Sequence, residues 1–242
     1  MKRVPLFLVI LTASSILWAA PEDIFSQAKT AYGNEKYAEA ASLYESMLNL
    51  GVDNMEVYYN LANAYFRNGD LPRAIQYYRT AWHHSPRDPD IQNNLQFALD
   101  TAGAIAPKTS WTERPLQLLS KHEWTRLAAG AYCLLALFLL LALLLPRRRR
   151  LGLGLCSIPA VLLLLSAAGW WQWKTFERRP ECVVLAETTV RHGPLDKALE
   201  FYRIPSGALV RQKSTQGEWV EITYDNKSGG WMKTEHVLPL SP

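Results

Sequence analysis

Two uncharged apolar runs separated by four arginines constrain this chain more than any other feature. Leu127 to Leu145 holds 19 residues and Leu151 to Trp173 holds 23, each close to the ~20 residues a helix needs to cross the hydrocarbon of a bilayer. A soluble amphipathic helix carries polar residues along one face, and neither run does. Only Pro146-Arg147-Arg148-Arg149-Arg150 lies between them, so the spans are expected to form a hairpin of antiparallel neighbours. Lys and Arg are retained on the cytoplasmic side of a membrane. That places the 146–150 loop inside and residues 21–126 and 174–242 outside, with Trp170, Trp171 and Trp173 at the outer headgroup level.

The amino terminus supports the same topology. Met1-Lys2-Arg3, the apolar stretch Val4 to Leu17 and then Trp18-Ala19-Ala20-Pro21 follow the charged, apolar, small-residue order of a secretory signal over residues 1–20. Cleaved or retained, this segment delivers Pro21 onward to the outside. The formal charge of +4 arises from Lys2, Arg3 and Arg147 to Arg150, because both outer segments are close to neutral. The basic residues therefore mark membrane flanks, and no nucleic-acid partner is expected. Anionic lipid at the arginine loop would be incidental to its topogenic role. Cys133 and Cys156 lie within the apolar runs and Cys182 stands alone in a polar segment, so no disulfide framework is implied. Cys182 is expected as buried packing at the start of a strand.

Residues 21–54 superimpose on 55–88 at a shift of 34, which aligns Ala28 with Ala62, Asn34 with Asn68, Ala40 with Ala74 and Tyr44 with Tyr78. A 34-residue period is that of a helix-turn-helix repeat. In the second copy Tyr58, Leu61, Ala62, Tyr65, Ala74, Tyr78, Ala81 and Pro86 occupy the interlocking positions, and Gly69-Asp70 makes the turn. This segment resembles the tetratricopeptide repeat family. Ile24, Gln27 and Ala31 depart from that pattern in the first copy. Asn94 and Leu95 fall in register with Asn60 and Leu61, so 89–103 is expected as a capping helix closing a module over 21–104. About three repeats are usual for independent stability. The missing contacts are expected from a second copy of the chain, from the linker 105–126, or from the membrane surface.

Such repeats line a concave groove with their first helices. Tyr59, Asn60, Asn63, Phe66 and Arg67 are expected to face it, with Phe25, Lys29 and Tyr32 before them and Asn94 and Phe97 after. An asparagine amide both donates and accepts, which suits an extended peptide or a terminal carboxylate. The alternative for Asn60 and Asn63 is support of the fold. His83-His84 lies at a helix end, where adjacent side chains point about 100 degrees apart and share one metal poorly. The pair is expected as solvated surface or a favourable charge at the helix carboxyl end.

From Cys182 the period shortens to β-rich runs: Val183 to Leu185, Thr188 to Arg191, Ala208 to Val210, Trp219 to Tyr224 and Gly230 to Met232. Five short strands are expected, after a linker over 174–181. Val190-Arg191-His192-Gly193-Pro194, Ile204-Pro205-Ser206-Gly207, Gly217-Glu218-Trp219-Val220-Glu221-Ile222 and Gly229-Gly230-Trp231 together resemble a bacterial SH3-like domain over 182–242. Trp219, Trp231 and Tyr224 are either core or contacts to a cell-wall ligand. No Cys-His-polar catalytic set is recognisable.

The order of export signal, tetratricopeptide repeats, transmembrane hairpin and SH3-like terminus resembles the E-type proteins of the bacterial aerotolerance (Bat) operon. The expected fold is thus a multidomain membrane protein with all-α repeats, a two-helix hairpin and a small all-β barrel. The resemblance implies a periplasmic scaffold in the inner membrane, without catalysis or cofactor, linked to oxidative-stress tolerance. Its implied partners are von Willebrand A-domain Bat proteins and, indirectly, a MoxR-type ATPase, with a homo-oligomer as a further expectation. The alternative is a peptidoglycan-binding tether or sensor acting through the SH3-like domain.

Overall fold

The structure, a computed structural model, describes residues 21–105, 116–144, 149–178, 181–224 and 229–240. The expected signal over 1–20, Ala106 to Pro115 of the expected linker, and Pro146 to Arg148 of the arginine loop lie outside the described residues.

Five helices build the amino-terminal module: α1 over 21–33, α2 (Tyr37–Asn49), α3 (Met55–Arg67), α4 (Leu71–His84) and α5 (Pro89–Ala102). Their starts are written locally. Asn54, Asp70 and Asp88 each accept a backbone N–H of the following first turn through the side chain, a cap worth about 1 kcal/mol. Proline sits in the first turn of α4 and α5, where its missing N–H costs nothing. The turns keep the period as well. Glu35 (φ 61), Gly69 (φ 84) and Gly103 (φ 63) are all left-handed and stand 34 positions apart. Small residues Ala28, Ala40, Ala62 and Ala74, all with no exposed surface, let the helices approach closely around Tyr44, Leu61 and Tyr78.

A turn of 3-10 helix over Leu116–Leu118 precedes α6 (Lys121–Leu144). Ser120 and Glu123 form a reciprocal cap: the Ser120 N–H donates to Glu123 Oε2 (2.9 Å) and the Glu123 N–H donates to Ser120 Oγ (3.3 Å). The helix therefore starts six residues before the apolar run at Leu127. Two shorter pieces, α7 (Arg149–Leu155) and α8 (Ser157–Arg178), return antiparallel to α6. Arg149 and Arg150, expected in the loop, open α7. The hairpin closes at both ends, with Ala142 against Gly152 and the Trp124 ring against the Cα of Gly169. Lys121–Leu144 and Gly152–Lys174 are long and apolar enough to cross a membrane.

The carboxy-terminal module is an antiparallel sheet of seven strands: β1 (Glu181–Val184), β2 (Thr188–Arg191), β3 (Glu200–Ile204), β4 (Leu209–Gln216), β5 (Trp219–Thr223), β6 (Gly230–Lys233) and β7 (Val237–Pro239). Their order is β3-β2-β6-β5-β4-β1-β7, so β3 and β7 are open edges. Five strands were expected. The two additions are those edges, one led by charged Glu200 and the other ending in Pro239, which hides their β character in sequence. The core is aliphatic, built from Val183, Val190, Ile204, Leu209, Val210, Val220 and Ile222. Trp219 and Trp231 lie half-buried, while Tyr224 is buried.

The sheet completes the helical stack. Side chains of α3, α4 and α5 share one apolar cluster with Val183, Leu209 and Val210. The tip of the β3–β4 turn seats Gly207 against Ile75 of α4 and Ala102 of α5, on the flank where a second helix after α5 would pack. The missing contacts of the short repeat array thus come largely from the sheet, a source not among those expected. The reason is distance in sequence, since no local pattern ties residue 75 to residue 207.

Candidate functional site: the helical groove and the junction behind it

The first helices of the stack, α1, α3 and α5, bring most of the expected groove residues into one row. Asn94 Nδ2 of α5 donates to the Tyr59 hydroxyl of α3 at 2.8 Å, and Phe66 and Phe97 pair with ring centroids 5.5 Å apart. Arg67 Nη2 donates to the Tyr37 hydroxyl at 2.7 Å while its guanidinium lies 5.0 Å from that ring. Lys29 lies 5.5 Å over the Phe25 ring, and Tyr32 packs edge-on to Tyr37.

These contacts sort the residues by availability. Asn63 Oδ1 accepts from the Tyr78 hydroxyl at 2.6 Å, so this amide serves the fold at least in part. Burial pushes the Tyr78 phenol above its ordinary range, which keeps it a donor. Asn60 is half-buried, and its side chain makes no hydrogen bond among the described residues. Phe97 is 61% exposed. The row thus offers aromatic surface at tilted rings, one amide that is free among the described residues and two cations, Lys29 and Arg67. Tyr37 was missed because it belongs to a second helix, outside the pattern of groove positions.

Behind the groove, the opposite face of α4 is pinned to three other parts of the chain. Gln76 Nε2 donates to the Pro239 carbonyl (2.8 Å). Arg79 grips Glu181 of β1 with two bonds, Nε to Oε2 at 2.7 Å and Nη2 to Oε1 at 3.1 Å. The Glu181 side chain has no exposed surface, and Arg211 Nε stands 3.6 Å away. Burial, the largest single influence, would raise the Glu181 carboxyl, but the charge and hydrogen bonds of Arg79, joined by Arg211, hold the group below the ordinary range. Arg87 pairs with Glu123 at the start of α6.

His83 packs edge-on to Trp173 of α8, centroids 5.6 Å apart, and the Trp173 Nε1–H donates to the Leu119 carbonyl at 3.2 Å. Burial, with the Arg79 charge adding to it, pushes the His83 imidazole down to about 3, so it is neutral. Two expectations change here. His83 is not solvated surface or a helix-end charge, and Trp173 is buried at the junction and not in an interfacial belt with Trp170 and Trp171, which are exposed. His84 instead places Nε2 3.2 Å from Asp53.

Chemistry of other kinds finds little footing among the described residues. No group of three or more His, Cys, Asp or Glu is placed to hold a metal. Cys182 is 1% exposed, and burial followed by the Glu181 charge pushes its thiol up to about 11. It is a packing residue, since the thiolate is the nucleophile.

The comparisons with known proteins bear on the helical module. Residues 25–89 match the tetratricopeptide repeat family. Among curated proteins the chain is similar to the Photosystem I assembly protein Ycf3 of Prochlorococcus marinus (strain NATL2A), 31% identical over 106 residues, covering 40% of this chain and 60% of that protein. It is likewise similar to Ycf3 of Synechococcus sp. (strain CC9605), 35% identical over 80 residues, covering 32% of this chain and 46% of the relative. The chain thus spans about half to three fifths of the length of these relatives. The amino-terminal helical region is thus tetratricopeptide-repeat-like over residues 25–89.

Proposed function

We propose that the protein is an inner-membrane adaptor whose repeat groove, held on the periplasmic side by a transmembrane hairpin, captures a segment of a membrane neighbour without catalysing a reaction. The observation that carries this is the groove itself, where exposed Phe97 and the free Asn60 amide lie in one row with Tyr59, Phe66 and Arg67. Exposed aromatic surface beside an unused amide is the composition of a peptide-binding surface. The named role of the relatives in assembly supports the same reading. The arginine run after Leu145 supports the orientation. The order of modules supports membership of a Bat-type envelope complex, with von Willebrand A-domain proteins as direct partners, a MoxR-type ATPase as an indirect one, and a link to oxidative-stress tolerance.

The test uses the full-length chain with a purification tag, solubilised from its own membranes. Asn60→Ala combined with Phe97→Ala removes two solvent-facing contacts, each worth about 1–2 kcal/mol in a groove of this kind. Co-purified partner should fall at least about tenfold while the melting temperature stays within a few degrees. Undiminished partner would sink the groove as the binding site.

A second reading concerns the sheet as an SH3-like module that holds an envelope ligand such as peptidoglycan. The observation favouring it is a polar cleft of about 500 Å³ on the outer face of the sheet.

A further inference from the structure

That cleft is lined by residues from four strands and the segments between them, Thr189, Arg191, Arg203, Trp219 and Lys233 among them. Strand register explains the assembly. Thr189 stands opposite Arg203 across β2 and β3, Arg191 opposite Trp231 across β2 and β6, and Lys233 opposite Trp219 across β6 and β5. Side chains two apart share a face, so Arg203, Thr189, Lys233 and Trp219 run as one row across the sheet. The row is a built arrangement, and none of its members serves the aliphatic core.

The three cations Arg191, Lys233 and Arg203 of the cleft differ in their freedom. Arg191 is committed, with Nη1 donating to the Ala198 carbonyl at 2.9 Å and Nη2 3.8 Å from Glu200. Lys233 stands 3.5 Å from the exposed Asp196 and 5.9 Å from the centre of the Trp219 ring. Arg203 is exposed, and its side chain makes no hydrogen bond or ion pair among the described residues. A free guanidinium presents a planar fork that fits a carboxylate with two bonds. Beyond it lie a hydroxyl, an ammonium and one face of a half-buried indole.

A fork, a hydroxyl and an indole in line fit a ligand with a carboxylate at one end and a ring with an apolar face at the other. Glu187 and Asp196 at the rim accept hydroxyl donors but repel a polyphosphate, which removes a nucleic-acid strand from consideration. An apolar peptide is disfavoured because polar groups dominate the lining. We propose that the cleft binds a carboxylate-bearing pyranose, with the carboxylate on Arg203 and the ring stacked on Trp219. This rests on reading the sheet as a ligand-binding module and is independent of the helical groove. Such a sugar acid comes from wall glycan stripped of its stem peptides, in which the lactyl carboxylate of muramic acid is free, or from a uronic acid.

Calorimetric titration of the full-length protein in detergent tests the assignment. N-acetylmuramic acid should bind at least about tenfold more tightly than N-acetylglucosamine, which has the same ring without the carboxylate, a gap set by one charge-assisted contact. Arg203→Ala should erase that gap, and Trp219→Phe should keep it with weaker binding of both sugars. Glucuronic acid binding as well as N-acetylmuramic acid supports the shared chemistry and points to a uronic source, whereas its failure beside bound N-acetylmuramic acid points to the wall. Equal binding of the two acetylated sugars, no binding of any acid sugar, or an unchanged gap in Arg203→Ala overturns the proposal. Sedimentation with purified peptidoglycan separates the two levels. Retention that survives Arg203→Ala leaves the module reading standing while the cleft assignment falls.

Discussion

Glu181→Ala is expected to destabilise the folded protein by about 3–5 kcal/mol, the usual cost of leaving one partner of a buried ion pair alone. Arg79 is almost fully enclosed, its guanidinium pairs with Glu181 through two hydrogen bonds, and its remaining contact is the Trp82 ring 4.2 Å away. Removing the carboxylate leaves that cation without its counter-charge beside Arg211 and the neutral His83. Arg79→Met in the same chain should restore most of the loss, because an apolar pair of similar volume needs no compensation. The measurement is chemical unfolding of the full-length chain in detergent, followed by tryptophan fluorescence. A loss under 1 kcal/mol for Glu181→Ala, or no rescue by Arg79→Met, would show that the pair does not hold α4 to β1.

Gly207→Val should cost about as much for a different reason. Gly207 sits at φ +82, and a Cβ there would lie 2.8 Å from Ile75 Cδ1 and 3.0 Å from the Ala102 Cβ. The left-handed backbone alone costs a branched residue about 1–2 kcal/mol, and overpacking a filled interface adds about 1–3 kcal/mol. Ile75 has no exposed surface, so it cannot swing away. Ile75→Ala in the Gly207→Val background should recover the crowding part and leave the backbone part. If Gly207→Val melts with the parent protein, the turn is not wedged between α4 and α5 and the sheet does not complete the repeat array.

How much of this was legible depends on the range of the interaction. The 34-residue period, the turns at Glu35, Gly69 and Gly103, the caps at Asn54, Asp70 and Asp88, and the two apolar helices are set within a few residues, so patterns show them. The row of side chains on the first helices was legible as a placement, because the first helix of each repeat occupies fixed places in the period. Its hydrogen bonds were not, since Tyr37 and Tyr78 reach in from second helices. The junction lay out of reach altogether. Arg79 and Glu181 are 102 residues apart in the chain, and each alone looks like surface charge. For the same reason His83 read as solvated and Trp173 as interfacial, when packing joins them. In the sheet, Trp219 and Trp231 drew attention by size, yet Val and Ile residues fill the core and leave Trp219 facing a cleft. Arg203, the free cation in that cleft, carried no signal beyond its charge.

These long-range contacts bear on the proposed function because they tie the helical module to the two long apolar helices. Helix α4 stacks behind the groove and also holds β1 through Arg79 and the end of α8 through His83 and Trp173. A partner seated in the groove would then be held at a fixed place relative to the hairpin. The most direct test is a photo-reactive residue at Phe97 in the full-length chain, irradiated in intact membranes. The adaptor reading predicts a discrete protein adduct from Phe97, lost with Asn60→Ala, and none from the same probe at Leu50 in the exposed loop after α2. Adducts from Leu50 and not from Phe97, or capture of cell-wall fragments alone at Phe97, would contradict it.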